Sequence, residues 1–213
     1  MPKNLIIIPS YNEKKTLIKI LKKNKAKYNI LIMDDKSTDG TTDIYIDKKK
    51  VSMISNKKNY GYERNLLKGF KTAIDLNYDF VITFDADGEH DFDDLDKIKK
   101  FIKTYDPDLL IGDRKKKNRF AETIIGFFFQ LFYNINDPLS GLKAYKVSKL
   151  KNIFREIDDN YYLVDIIKLF IKKKCTIYNI KINTNIVKNR ISRIDNNFQA
   201  SLKILKCIKF IMW

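Results

Sequence analysis

The stretch FVITFDAD, residues 80–87, decides the fold, because an apolar run ends there in two acidic residues. Its β-branched and aromatic residues are typical of a buried strand. Asp85 and Asp87 would then lie at the carboxyl edge of a sheet, where open α/β folds bind their ligands. In an extended turn, both carboxylates can converge on one Mg²⁺, which typically takes one or two carboxylates together with substrate phosphates. The pair alone fits a solvated acidic loop at least as well, so its interpretation depends on the rest of the chain.

Short apolar runs alternate with helical patterns through the first half of the chain. Strands are predicted at residues 5–8, 30–33, 51–54, 80–84 and 109–111. Helices are predicted at residues 13–23, 63–76 and 92–105, with a short one after Thr41. This is the βαβ rhythm of a doubly wound sheet with right-handed crossovers. The predicted fold class is therefore α/β, with a mostly parallel central sheet flanked by helices.

The second half of the chain is less regular. Helices are predicted over 119–133 and near 162–173, and strands near 142–145 and over 176–182. The last segment, residues 197–213, places apolar residues on one helical face and lysines elsewhere, and it ends in a tryptophan. Such a helix suits a membrane interface, and it equally fits a helix that packs on the domain formed by residues 1–196.

Composition limits the function classes. The chain has 213 residues, 44% of them hydrophobic, which is enough for one α/β domain with its own core. The net charge of +16 points to nucleic acid, an anionic membrane surface or phosphorylated ligands, although coding bias in an AT-rich genome would also enrich lysine. No nucleic-acid-binding motif accompanies the charge, no signal peptide opens the chain, and no apolar window reaches the roughly 18 residues of a spanning helix. Two cysteines without a CxxC motif fit a reduced, cytoplasmic protein.

Two further strand ends carry polar residues that can bind a nucleoside. The first predicted strand ends in Pro9-Ser10-Tyr11-Asn12-Glu13, where Tyr11 and Glu13 can face a bound base. The second ends in DDKSTDGT, residues 34–41, whose acids can accept hydrogen bonds from ribose hydroxyls or a base N–H. Ordinary turn chemistry is an equal alternative for the first loop. For the second loop, ordinary turn chemistry is a weaker alternative, because Asp34 directly follows an apolar run and a buried acid needs a partner.

Together these segments resemble glycosyltransferase family 2, whose members are inverting enzymes of the GT-A fold, a Rossmann-like nucleotide-diphospho-sugar transferase fold. The motifs that carry the resemblance cover residues 4 to about 147 in the family's order: Pro9-x-Tyr11-Asn12-Glu13, Asp34-Asp35-x-Ser37-x-Asp39-Gly40-Thr41, Asn59-x-Gly61 leading to Asn65-x-x-x-Gly69, and Asp85-Ala86-Asp87-Gly88-Glu89-His90. Within the family, the chain is most similar to the dolichyl-phosphate and polyprenyl-phosphate hexosyltransferases, including the dolichol-phosphate mannosyltransferase type. Those enzymes carry Asp-x-x-Ser-Gly before a basic position, which matches Asp137, Ser140, Gly141 and Lys143 here.

The resemblance implies a nucleotide-sugar donor of the GDP-mannose or UDP-glucose type and a Mg²⁺ or Mn²⁺ cofactor. The metal ligands would be Asp85, Asp87 and Glu89. Glu89 replaces the family's usual Gln, and its added negative charge should tighten metal binding. The donor would be bound by Pro9, Tyr11, Glu13, Asp35, Asp39, Asp85 and Arg190. The family's Arg-x-x-Gly-x-Ser-Lys motif is only partly kept, because Val187 and Arg190 stand at its Arg and Gly positions, so either Lys188 or Arg190 would close over the diphosphate.

The resemblance also places the acceptor phosphate on Arg114, Arg119 and Thr123. Arg119 and Thr123 are four residues apart and would share one helix face. The guanidinium fork suits phosphate oxygens, and the N-terminus of a helix favours an anion. The apolar residues that follow would offer a wall for a lipid, whereas the alternative interpretation is an arginine on a solvated first turn.

The predicted function is therefore the inverting transfer of a hexose to a polyprenyl or dolichyl phosphate, with Asp87, Arg119 and Asp137 as catalytic residues. A phosphate acceptor is largely dianionic at neutral pH and needs no strong base. The first alternative is a family 2 enzyme that uses a saccharide hydroxyl in cell-envelope polysaccharide synthesis. That reaction requires a positioned base, for which Asp137 is the candidate. A catalytically inactive GT-A module is the second alternative, and the intact Asp85 and Asp87 pair argues against it.

The expected partners follow from this prediction. They are a nucleotide-sugar, a lipid phosphate, the membrane surface and a small membrane-anchoring subunit, with no nucleic acid. The enzyme is expected to lie peripherally on the cytoplasmic face of the membrane.

Overall fold

The structure, a computed structural model, describes residues 2–24, 27–44, 49–117, 120–158 and 164–185. Seven strands in these ranges form one sheet: β1 (Asn4–Ser10), β2 (Asn29–Asp34), β3 (Val51–Ser55), β4 (Phe80–Thr83), β5 (Leu109–Arg114), β6 (Lys143–Lys146) and β7 (Ile177–Ile182). Six α-helices accompany them: α1 (Lys14–Asn24), α2 (Tyr62–Asp75), α3 (Asp94–Tyr105), α4 (Phe120–Tyr133), α5 (Val147–Ile153) and α6 (Val164–Lys172). The predicted α/β class and all seven predicted strands are confirmed, with small differences at the strand ends.

The strand order is β3-β2-β1-β4-β6-β5-β7, and every pairing is parallel except the two that β6 makes. Parallel neighbours bring the carboxyl ends of β1, β2 and β4 to one edge of the sheet. Because β6 runs the other way, its first residue, Lys143, pairs with Thr83 at the end of β4. One edge therefore collects the ends of the parallel strands and the beginning of β6.

Helices cover both faces of the sheet, and successive residues of β1 show this directly. Ile7 belongs to a core cluster shared with α2, α4, α5 and α6, whereas Ile6 and Ile8 belong to a second cluster shared with α1 and α3. A strand that is buried on both faces has no polar side, so it is a continuous apolar run. The helix α2 lies close to β1 at Gly69, where a Cβ atom would stand 2.9 Å from two carbon atoms of Ile7.

One helix of the structure was not predicted, and one predicted helix lies outside the described residues. The helix α5 was not predicted, because its apolar positions Val147, Leu150 and Ile153 span only two turns and the periodic signal is short. The predicted C-terminal helix, residues 197–213, lies outside the described residues, as do Arg119 and Arg190. None of the helices within the described ranges combines the length and the apolar character needed to cross a membrane.

Candidate active site

The carboxylate of Asp85, at the carboxyl edge, is contacted by side chains on both of its oxygens. The Tyr62 hydroxyl, in the first turn of α2, donates a hydrogen bond to its Oδ1 at 3.0 Å. Nε2 of His90 lies 3.8 Å from its Oδ2. Burial by itself would raise the pKa of Asp85, but the interactions with His90, Tyr62 and Lys143 hold it below its usual range. Asp85 therefore has a fixed position and is ionised at neutral pH.

The backbone of Gly141 closes the remaining side of Asp85. A Cβ atom built on Gly141 would stand 1.8 Å from Oδ2 of Asp85, far inside van der Waals contact. The glycine of the Ser140-Gly141 motif is thus required here by the close approach of a carboxylate. This contact joins the loop before β6 to the acidic loop after β4.

Asp87 and Glu89 lie on the same acidic loop, which turns at Gly88 with a φ of 83°. The Glu89 backbone N–H donates to Oδ1 of Asp87 at 2.9 Å, and the Glu89 carbonyl accepts from the backbone N–H of Asn185 at 2.7 Å. The described residues present no preformed group of three or more metal-ligating side chains. Acidic side chains at one sheet edge still suit Mg²⁺ or Mn²⁺, because such ions complete their shells with waters and substrate phosphates.

Two of the predicted nucleoside ligands organise loops. The buried Asp35 accepts hydrogen bonds from the backbone N–H groups of Tyr60 and Gly61, at 2.9 and 2.8 Å, and from the side-chain amide of Asn56 at 2.8 Å. These bonds hold the loop between β3 and α2 against the end of β2. The hydrogen bonds that Asp35 accepts give it a structural role. A direct contact between Asp35 and a nucleoside stays a prediction.

Asp39 holds the beginning of α1. It accepts from the backbone N–H groups of Lys14 and Thr41, both at 2.9 Å. Although burial by itself would raise the pKa of Asp39, the hydrogen bonds from Thr41 and Lys14 lower it. The side-chain oxygen of Asn12 accepts a hydrogen bond from the Thr38 backbone N–H at 2.7 Å. These bonds tie the loops after β1 and β2 together.

The remaining predicted donor ligands in the described ranges lie at the end of β1 and in the loop that follows it. Pro9 is buried within the strand, and Tyr11 is exposed at the edge. The Thr16 hydroxyl donates to Glu13 at 3.1 Å, one turn into α1. The structure thus brings Tyr11 and Glu13 to the edge that carries Asp85, as the sequence predicts.

The predicted acceptor side is built around a buried ion pair between Arg114 and Asp137. Arg114 donates from Nε to Oδ2 at 2.7 Å and from Nη2 to Oδ1 at 3.0 Å, so the contact is bidentate. Nη2 also donates to Glu122 of α4 at 3.0 Å. Burial opposes the charge of Arg114, but Asp137 and Glu122 hold its pKa above the usual range. Strand β5, helix α4 and the loop before β6 are therefore held together by charge-assisted hydrogen bonds.

Lys143 is a buried cation near both Asp85, on the predicted donor side, and Asp137, on the predicted acceptor side. Burial lowers the pKa of Lys143 to about 8, against the attraction of Asp137 and Asp85, which favours the charged form. Its ammonium group donates to the Ser140 carbonyl. Thr123, the described member of the predicted phosphate-binding pair with Arg119, is exposed on α4. Whether Arg119 lies beside it stays a prediction.

Sequence reasoning did not identify Tyr62 or Glu122. Tyr62 directly follows the Asn59-x-Gly61 motif, but its partner Asp85 is 23 residues away and only the fold brings them together. Glu122 carried a usable signal, since it is the one charged residue in the apolar segment 120–133. A lone acid in an apolar helix needs a buried partner.

The sheet order and its acidic edge match the GT-A fold of glycosyltransferases, as the comparisons with known proteins show. The chain superposes on glucosyl-3-phosphoglycerate synthase from Mycobacterium tuberculosis, solved in complex with Mn²⁺, UDP-glucose and glycerol 3-phosphate. The TM-score is 0.73 at 14% sequence identity, covering 99% of this chain and 80% of that chain. Residues 5–159 match the family described as Glycosyl transferase family 2, and the chain belongs to that family.

The chain is also similar to curated enzymes whose names give a lipid phosphate as the acceptor. The chain is 29% identical to UDP-N-acetylglucosamine–dolichyl-phosphate N-acetylglucosaminyltransferase of Methanococcus voltae, over 79% of this chain and 79% of that protein. It is 27% identical to undecaprenyl-phosphate mannosyltransferase of Micrococcus luteus, over 70% of this chain and 68% of that protein. Both names describe transfer of a sugar to a polyprenyl-type phosphate.

Proposed function

We propose that this enzyme transfers a hexose, with inversion, from a nucleotide-sugar to a polyprenyl or dolichyl phosphate. The donor would lie along the edge between Tyr11 and Asp85, with its diphosphate towards Asp87. The acceptor phosphate would approach from the side of α4, where Thr123 is exposed. The two relatives named above support the lipid phosphate as acceptor.

The buried pairing of Asp137 with Arg114 is the observation that carries this proposal. Asp137 is fully buried, and both of its carboxylate oxygens accept hydrogen bonds from the guanidinium. A saccharide hydroxyl acceptor requires a base within hydrogen-bond reach of the proton it removes. Accepting that proton would neutralise Asp137 and leave the buried guanidinium of Arg114 with one carboxylate fewer to balance its charge. A phosphate that is already anionic requires no such base, so this arrangement favours a phosphate acceptor over the hydroxyl alternative.

The reaction then needs positioning and charge stabilisation more than proton transfer. An acceptor phosphate oxygen would attack the anomeric carbon from the face opposite the nucleotide, forming the new C–O bond as the bond to the nucleoside diphosphate breaks. A divalent cation held by Asp85, Asp87 and Glu89 would neutralise charge on the departing diphosphate. The contacts of Asp85 with Tyr62, His90 and Gly141 keep its carboxylate in place before the donor arrives, which reduces the cost of reorganisation.

The proposed acceptor also determines where the enzyme would act and with which partners. A lipid phosphate lies in a membrane, so the enzyme would bind peripherally to the cytoplasmic face, where nucleotide-sugars are available. A small membrane-anchoring subunit stays a prediction from the family resemblance. Arg119 and Arg190 are proposed to hold the acceptor phosphate and the donor diphosphate, respectively.

A donor screen tests the proposal. Purified enzyme is incubated with Mn²⁺, each of several nucleotide-sugars, and undecaprenyl or dolichyl phosphate in detergent, and the product is extracted into organic solvent. The matched control acceptor is the same polyprenol without its phosphate, and saccharide acceptors are tested in parallel. We expect transfer to the lipid phosphate alone. Transfer to a saccharide hydroxyl, with none to the lipid phosphate, would establish the alternative.

A further inference from the structure

Lys143, the first residue of β6, is a buried lysine to which the proposed reaction assigns no role. The residue is 7% exposed, although a lysine is almost never so deeply buried unless its charge is paired. In the described part of the chain, the hydrogen-bond acceptor of its ammonium group is the neutral carbonyl of Ser140. An ammonium group has three N–H donors, so two remain available for a ligand. A buried cation with open donors is a place where an anion can bind.

The backbone of Lys143 has a fixed position at the carboxyl edge. Its N–H donates to the Thr83 hydroxyl at 3.1 Å, and that hydroxyl donates to the Gly141 carbonyl at 2.7 Å. Gly141 in turn lies against the carboxylate of Asp85. The side chain of Lys143 therefore starts beside the acidic loop after β4, and its ammonium group turns back to the loop that carries Ser140.

The charge of Lys143 lies between the two predicted sides of the site. Burial lowers the pKa of Lys143 to about 8, against the attraction of Asp137 and Asp85, so the ammonium group is still charged at neutral pH. Holding a cation in a place that disfavours its charge lowers the stability of the fold. Groups of this kind are enriched at functional sites, where stability is given up for activity.

Arg114, a second buried cation at this edge, is already engaged by carboxylates. Its Nε and Nη2 donate to Asp137, and Nη2 also donates to Glu122. A phosphate bound to Arg114 alone would have to lie beside these two carboxylates. Lys143 instead directs its ammonium group to a neutral carbonyl, so its positive charge is the more accessible one for an incoming anion.

We propose that Lys143 is a further substrate-binding residue, which donates its two open N–H groups to the phosphate of the acceptor. This inference rests on the proposed transfer to a lipid phosphate. A phosphate held between the sides of Asp137 and Asp85 has an oxygen directed towards the donor, where the anomeric carbon would lie. A nearby cation also favours the dianionic form of the acceptor phosphate, which is the nucleophile. The phosphodiester product carries only one of these two negative charges, so Lys143 would hold the product less strongly than the acceptor.

Steady-state kinetics of Lys143→Met tests the assignment, because methionine keeps a long side chain and removes the ammonium group. With undecaprenyl phosphate in detergent and the nucleotide-sugar that is active in the donor screen, the KM for the lipid phosphate should rise by about tenfold or more. The KM for the nucleotide-sugar should change far less. Lys146→Met is the matched control, since it removes the same charge at the other end of β6, where Lys146 pairs with Asp106. It should leave both KM values unchanged.

Binding without turnover gives a second measurement. Farnesyl phosphate, a short lipid phosphate, is titrated into the full chain in a calorimeter, with farnesol as the control ligand. Lys143→Met should weaken binding of farnesyl phosphate by about the same factor as the change in KM and should not affect farnesol. In Lys143→Ala, added methylammonium should restore turnover as its concentration rises, and sodium at the same ionic strength should not.

A merely structural role for Lys143 predicts different results. The positive charge of Lys143 repels a divalent cation at Asp85, so Lys143→Met should bind Mn²⁺ at least as tightly as the unmodified chain. Replacing a buried charge by an apolar side chain should also leave the Tm unchanged or raise it. Weaker Mn²⁺ binding, a lower Tm and equal rises in both KM values would make Lys143 a scaffold residue and overturn the inference.

The outcomes separate this inference from the proposed function. Transfer to lipid phosphate by the unmodified chain, with an unchanged acceptor KM in Lys143→Met, would overturn the role of Lys143 and leave the proposed function standing. A rise confined to the donor KM would assign the ammonium group to the donor diphosphate, which also overturns the inference. Transfer by the unmodified chain to saccharide hydroxyls alone would contradict the proposed function, and the assignment of Lys143 would fail with it.

Discussion

Replacing Gly141 by alanine should disable the site while leaving the fold intact. The added Cβ would stand 1.8 Å from Oδ2 and 2.5 Å from Cγ of Asp85, whereas ordinary contact begins near 3.4 Å. The carboxylate must therefore withdraw by about 1.5 Å, which breaks its 3.0 Å hydrogen bond from Tyr62. A displacement of about 1 Å at a catalytic site can cost roughly 100-fold in rate. We expect kcat/KM for the nucleotide-sugar to fall by about that factor, together with weaker Mn²⁺ binding.

Gly69→Ala is the matched control for this experiment. Its added Cβ meets two carbon atoms of Ile7 at 2.9 Å inside the core, so it should lower the free energy of unfolding by about 1–3 kcal/mol without moving Asp85. The measurements are steady-state kinetics, Mn²⁺ titration and thermal unfolding of both variants. Wild-type kcat/KM in Gly141→Ala would refute the reasoning. So would a loss of activity that merely follows the loss of stability, as seen in Gly69→Ala.

Three further predictions concern the metal, the acceptor and the stability of the fold. Turnover should require Mg²⁺ or Mn²⁺, and it should collapse in Asp87→Ala while the free energy of unfolding stays unchanged. Glu89→Gln should stay active but bind the metal more weakly. Full activity in excess chelator would exclude the metal role. Arg119→Ala should raise the KM for lipid phosphate by about 10- to 150-fold, from a charge-assisted hydrogen bond of roughly 1.5–3 kcal/mol, and should change the donor KM far less; equal changes in both would reject the assignment. Burial raises the pKa of Asp165, at the start of α6, to about 6, so the folded state holds this proton more tightly than the unfolded chain and stability falls as pH rises from about 4 through 6. Asp165→Asn should remove this dependence and raise the unfolding free energy at pH 7 by roughly 3 kcal/mol in denaturant titrations, and an unchanged pH profile would contradict the assignment.

The strands β1, β2, β4 and β5 were the most predictable from sequence, because nearly all of their residues are buried on both faces of the sheet. An uninterrupted run such as Leu5–Ile8 carries a strong signal without any knowledge of its neighbours. The short helix α5 lacks such a signal, since two turns contain too few apolar positions. The acidic loop after β4 was also predictable, because strand ends and their polar residues are contiguous in the sequence.

The partners of the site residues were not predictable in the same way. The predicted contact of Asp35 with a nucleoside stays a prediction, but the sequence did not indicate that its carboxylate also accepts hydrogen bonds from the backbone of Tyr60 and Gly61, 25 and 26 residues further along the chain. Asp137 was the candidate base of the alternative reaction, and its bidentate contact with Arg114 spans 23 residues. A sequence shows which residue types stand at a strand end. It does not show which oxygen atoms the fold has already occupied.

The reversed direction of β6 has a consequence for how the specificity of this enzyme can be redesigned. Residues 9–89 supply the predicted donor contacts within the described ranges, whereas Arg114, Glu122, Thr123 and Asp137 all fall in residues 114–143, which end where β6 begins. Because β6 enters the sheet beside β4, this segment is contiguous in sequence and meets the predicted donor side at Gly141, which lies against Asp85, and at Lys143, which pairs with Thr83. Exchanging it for the equivalent segment of a relative is thus a single graft with two junctions, one at the end of β5 and one at the start of β6. Such a chimera would test whether the acceptor preference is transferred with this segment, and it must keep Gly141, which lies against Asp85.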